Sequence, residues 1–119
     1  MNLPQMTFPE LVDRISVLLL KMTFAQDTRE EYRKEFRRLT SVKMPPVGFL
    51  TCVEMMRLAV VNAHIWNLID EQNLAMEIPD APAVAKLAAA IREANNARAK
   101  IKTRLGSMVG DEDYFDEKV

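Results

Sequence analysis

The sequence predicts an all-α protein, a small helical bundle of three long or four helices, and three observations carry that reading. Only three of 119 residues are glycine, and Ala, Leu, Met, Arg, Lys and Glu dominate, which favours helix nearly throughout. Apolar residues recur at three- and four-residue spacing over four stretches. The adjacent Pro45 and Pro46, and then Pro79, interrupt those stretches where a helix must stop. With 49% hydrophobic and 28% charged residues, the chain fits a single domain over residues 1–110, able to bury roughly 65% of its unfolded surface.

Thr7 is placed to cap the first helix, with Pro9 in its first turn and Glu10 at the capping-box position. Phe8, Leu11, Val12, Ile15, Leu18, Leu19 and Met22 form its apolar stripe. Val17 and Leu20 fall among the charges on the other side, so a second contact is expected there, with another helix or another subunit. Thr28 and Glu31 repeat the capping spacing before a shorter helix that buries Tyr32, Phe36 and Leu39. Its basic residues tempt a nucleic-acid reading. Glu30 with Lys34 and Glu35 with Arg38 explain them as a solvated ladder, each pair worth about 0.3 kcal/mol, and no nucleic-acid partner is expected.

The stretch from Leu50 to Met76 is apolar all round on a helical wheel, which predicts a buried central helix, with Thr51 and Glu54 as its capping pair. Ile78 and Pro79 end it. Asp80 or Ala81 opens a last helix with Pro82 in its first turn, and Gly106 is the natural place for it to stop. That helix has an apolar stripe of Val84, Leu87, Ala88, Ile91, Ala94, Ile101 and Leu105. Asn95, Arg98 and Lys102 lie within about 40° of the stripe's middle, so three polar side chains are expected to point inward.

An inward Arg needs an acid, because an isolated buried charge costs several kcal/mol. Asp70 and Asp13 are available, and Asp70 lies on the helix nearest in sequence. The expectation is a polar network of Asp13, Asn62, Asp70 and Asn95 in which Asp70 pairs with Arg98 and Asn62 bonds Asn95, fixing how the helices register.

The segments TFPELVDRISVLLLKM, VVNAHIWNLIDE and EANNARAKIK, in this order, resemble a bacterial helical domain family of unknown function that often accompanies glycosyltransferase or tetratricopeptide segments. The similarity covers most of the chain outside residues 27 to 50. It implies a helical domain without an established activity, and its matching positions are Glu10, Asp13, Lys21, Asn62, Trp66, Asp70, Asn95, Arg98 and Lys102. Ile69 stands where the family tends to carry an acid, so this chain lacks the paired carboxylates that position would supply.

Function follows in three readings. The first is a non-catalytic binding or assembly module that forms a homo-oligomer, because the apolar surface exceeds what one small bundle covers. The second is a binding module for an anionic small molecule, a nucleotide or sugar nucleotide, with Lys21, Arg98 and Lys102 on phosphate and Trp66 or Tyr32 stacking on a base. The third is a metal-dependent nucleotide pyrophosphatase, for which Glu31 with Glu35 and Asp70 with Glu71 are the nearest acids. Asn67 occupies the place of the acid such a site needs.

No catalytic residue, cofactor or metal site is assigned. His64 is the only histidine and reads as a core residue. Cys52 has no disulfide partner and reads as a buried, inert thiol in a reducing, cytoplasmic setting. No glycine-rich phosphate loop and no membrane span are present in the sequence, the longest apolar run near the start being Val17 to Leu20. Net charge is −1, but residues 111–119 form an acidic tail that leaves the body mildly basic, and that tail is expected to be solvated.

Overall fold

The computed structural model describes residues 5–25, 29–43, 46–78, 80–109 and 113–115, and it is an all-α bundle of four helices. Helix α1 spans Phe8–Phe24, α2 Arg29–Thr40, α3 Phe49–Glu77 and α4 Ala81–Val109. Gln5–Thr7 (β1) and Asp113–Phe115 (β2) pair antiparallel, with Met6 opposite Tyr114. Part of the acidic tail, expected to be solvated, is thus paired with the start of the chain. The expected cap Thr28 and the prolines at 45 and 79 lie outside the described residues.

The start of α1 follows the sequence signals. Thr7 has extended backbone and its Oγ1 accepts from the Glu10 N–H at 3.4 Å, beside Pro9 in the first turn. Helix α4 starts in the same way, since the Asp80 carboxylate accepts from the Ala83 N–H at 3.1 Å. Ala25 takes an extended conformation and ends α1, so the first two helices are not one.

Two other signals are read differently by the fold. Helix α3 starts earlier than expected, at Phe49, with Gly48 as an N-cap that makes no side-chain bond. Thr51 and Glu54 therefore lie inside the helix, both buried. Gly106 does not stop α4, which continues to Val109. A Cβ at Gly106 would lie 3.7 Å from the Pro9 ring, so the small residue sits where α4 approaches the start of α1.

Helices α3 and α4 have 29 residues each and fold back on each other as an antiparallel hairpin. Leu58 packs with Ile101 and Leu105 at one end, while Ile65 and Leu68 pack with Ala94 and Ile91 further along. Helix α1 lies across the first end, where Phe8 and Val12 join Leu58. Its other face carries Leu11, Ile15 and Leu18 against Leu39, Tyr32 and Phe36 of α2, with Met6 and Val42 completing that cluster. Thus α1 is the shared wall of two small cores. Val17 and Leu20 are half-buried, whereas Leu19 is exposed despite its place in the predicted stripe.

The central helix is not buried all round, contrary to the expectation from its wheel. Its buried positions, Thr51, Glu54, Leu58, Asn62, Ile65 and Leu68, form one stripe. Phe49, Met56, Val60, Leu74 and Met76 are exposed. The physical reason is a shortage of partners. A 17-residue α1 is about 25 Å long against about 43 Å for α3, and α2 packs on α1. Much of the hairpin therefore has only two helices, in a molecule 47 Å long and 27 Å thick.

Candidate functional site

Two of the three α4 residues expected to point inward, Arg98 and Lys102, meet on α1. Asp13 and Ser16, one turn apart, share the α1 face that looks toward the hairpin, and both are buried. Asn62 comes to them from the buried stripe of α3, and Arg98 with Lys102 from one side of α4.

Asn62 Nδ2 donates to Asp13 Oδ1 at 2.8 Å and to Ser16 Oγ at 2.6 Å, using both amide hydrogens. Ser16 Oγ in turn donates to the Asp13 carbonyl at 2.9 Å. Arg98 grips the same carboxylate with two nitrogens: Nε donates to Oδ1 at 3.0 Å, and Nη2 donates to Oδ2. Lys102 Nζ lies 3.5 Å from Oδ2. Three helices are tied to one acid.

Burial alone would push the Asp13 carboxyl up. The hydrogen bonds from Arg98 and Asn62 and the charges of Arg98 and Lys102 outweigh that, and hold it below its ordinary value. Asp13 is therefore ionised and saturated. The two cations exceed the one anion by a unit charge, and each keeps about a third of its side chain exposed.

Asp70 and Asn95, placed in this network from the sequence, do not belong to it. Both are exposed. Arg98 pairs with Asp13 rather than Asp70, and Asn62 bonds Asp13 and Ser16 rather than Asn95. The reason lies in where α1 crosses: the sequence neighbour α3 supplies Asn62 at that level, while Asp70 is two turns further along, toward the turn that joins α3 to α4. Proximity in the chain was a poor guide to the partner of Arg98.

The expected ligand-binding set is divided too. Arg98 and Lys102 stand together, but Lys21 lies over the Tyr32 ring, 5.5 Å from its centre. Trp66 is half-buried with Phe24 beside it, ring centres 6.5 Å apart. Neither is beside Asp13. Of the positions carrying the family resemblance, Asp13, Asn62, Arg98 and Lys102 converge, while Glu10, Asp70 and Asn95 are exposed.

A second buried acid was not anticipated. Glu54 on α3 receives Arg57 Nη1 at 2.7 Å on one oxygen and Arg104 Nε at 3.1 Å on the other. Its signal was present in the spacing. Positions 51, 54, 58, 62, 65 and 68 advance in steps of three and four, and admitting polar residues to that stripe places Glu54 and Asn62 on it together. His64 is exposed rather than in the core, and Cys52 is half-buried. The ladder on α2 holds for Glu35 and Arg38 at 3.7 Å, while Glu30 meets Arg37 instead of Lys34.

A groove of about 500 Å³ opens beside Lys102, bounded by Thr103, Gly106 and Ser107 of α4 and by Thr7, Pro9 and Glu10. Another, of about 460 Å³, runs along α3 beneath Met56, Val60 and His64 and is almost wholly apolar. Among the described residues no group of three or more His, Cys, Asp or Glu is placed to hold a metal ion, and no described helix is long and apolar enough to cross a membrane.

The fold and this site define a helical bundle braced by a junction around one buried, fully paired carboxylate. Comparison with family models, with curated proteins and with solved structures finds no match for the chain.

Proposed function

We propose that this chain is a non-catalytic assembly module that associates with copies of itself. The observation that carries the reading is the uncovered apolar face of α3, on which Phe49 is 79% exposed, Met56 60% and Val60 69%. Isolated exposed apolar residues are ordinary on a monomer, but a run of them along one helix marks a contact surface. The Asp13 junction supports the same role, since it spends its acid and hydrogen-bonding groups on holding three helices in register. Light scattering and sedimentation velocity test the proposal. A species that stays monomeric up to about 100 μM, where a contact of ordinary strength would have formed, rejects it.

A second reading is favoured by the surplus charge at the junction. Arg98 and Lys102 share one carboxylate beside the groove bounded by Thr103 and Ser107. An anionic small molecule, such as a nucleotide or sugar nucleotide, would have Lys102 as its contact there and would have to displace or avoid Glu10, which bounds the same groove. Trp66 and Lys21 stand elsewhere, so base stacking would need a different surface. Calorimetry with nucleoside diphosphates and their sugar conjugates, with Lys102→Ala as control, decides it; absence of heat for every compound removes this reading.

A further inference from the structure

The uncovered face of α3 has a periodicity that a merely greasy surface would lack. Phe49, Val53, Met56, Val60, Ala63 and Asn67 advance in steps of four and three, a repeat of 3.5 residues, and Leu74 falls seven residues beyond Asn67. That is the spacing of a coiled-coil seam, with Val53, Val60, Asn67 and Leu74 in one set of core positions and Phe49, Met56, Ala63 and Asp70 in the other. Phe49, Met56, Val60, Asn67, Asp70 and Leu74 are exposed, and Val53 and Ala63 half-buried. The buried stripe facing α1 and α4 lies on the opposite side of the helix, so the seam has no partner among the described residues.

Resting on the self-association reading above, we infer that the seam is filled by α3 of a second copy of this chain, packed antiparallel. The seam from Phe49 to Leu74 is about 38 Å long at 1.5 Å per residue. The four exposed apolar side chains, Phe49, Met56, Val60 and Leu74, each giving up on the order of 100 Å², supply about half of the ~800 Å² per partner of a standard interface, and the residues flanking them must supply the rest.

Charge sets the direction. In the first half of α3, Glu54 is buried and paired, and its two arginines, Arg57 and Arg104, are exposed beside it. The second half carries Asp70, Glu71 and Glu77 and has no Lys or Arg. A parallel pair would stack Asp70 on Asp70 inside the seam. The antiparallel pair sets Val60 against Ala63 at the symmetry axis and Asp70 against Val53, about one helical turn from Arg57 of the other copy, so that the acids of each end approach the arginine end of the partner instead of each other.

Sedimentation equilibrium on the full chain tests this with three variants: Val60→Glu, Met56→Glu, and Asp70→Lys combined with Glu71→Lys. All four residues are exposed, so circular dichroism should show an unchanged fold in each. The expected result is a dimer whose dissociation constant rises about tenfold or more with either glutamate, and about tenfold with the lysine pair at low salt, the latter defect shrinking as salt is added. A wild-type chain that is monomeric throughout overturns self-association itself. A dimer that survives both glutamates leaves self-association standing and overturns the α3 surface. A dimer broken by the glutamates but indifferent to the lysine pair overturns the antiparallel arrangement.

Discussion

Arg98 and Asp13 are 85 residues apart in the chain and form a two-pronged ion pair that closes α4 onto α1. The two partners are not equivalent. The Asp13 side chain is 7% exposed, whereas that of Arg98 is 33% exposed and can turn to water. Arg98→Ala therefore leaves a buried carboxylate with reduced compensation and should cost about 3 kcal/mol. Asp13→Ala frees two cations that can reach solvent and leaves Asn62 short of one acceptor, for a cost of about 2 kcal/mol. The double substitution should cost clearly less than the sum. Urea unfolding of the four proteins measures this cycle, and additive losses would mean that the pair is not coupled.

The same carboxylate gives stability a pH dependence with a fixed sign. Its folded pKa lies below its unfolded value, so its contribution is fully present above the unfolded value, about 3.9 for an aspartate, and is lost as pH falls through the folded one. Melting temperatures of wild type and Asp13→Asn should differ by a constant amount between pH 7 and about pH 5 and converge in more acid solution. A gap that instead widened with acid would mean that burial prevails over Arg98, Asn62 and Lys102.

Local chemistry was legible in the sequence, and long-range placement only in part. Thr7 with Glu10 and Asp80 with Ala83 act through neighbours three residues away, so spacing reveals them. The inward direction of Arg98 and Lys102 was also visible in the helical repeat, although the same repeat turned Asn95 inward and it is exposed. What the repeat cannot carry is the identity of the element opposite. Asp70 and Asp13 were both acids on helical faces, and only the crossing point of α1 selects Asp13. The wheel of α3 misled for a related reason. An all-round apolar helix is buried if enough partners exist, and α1 is too short to supply them.

Glu54 allows a separation of charge from volume. Both of its cations are about half exposed or more and can turn to water, so the buried carboxylate offers little beyond filling its place. Glu54→Met, similar in volume, should stay within about 1 kcal/mol of wild type. Glu54→Ala removes the same charge and also leaves a void beneath Arg104, and should cost about 2 kcal/mol. Equal losses for the two variants in denaturant titrations would show instead that the ion pairs themselves hold α3 to α4.

Gly106 gives a test whose sign distinguishes two conformations. As the left-handed stop suggested by its place near the end of the apolar stripe, it would resist a side chain, and Gly106→Ala would cost about 1 kcal/mol. As an interior residue of a helix that runs on to Val109, it carries the entropic penalty of glycine without the benefit. The added methyl would meet the Pro9 ring at 3.7 Å, an ordinary packing distance, and so gain a contact between α4 and α1. Gly106→Ala should therefore stabilise the protein by about 0.5–1 kcal/mol. A melting temperature raised by about 3 °C is the expected reading, and a fall of similar size would end α4 at Gly106.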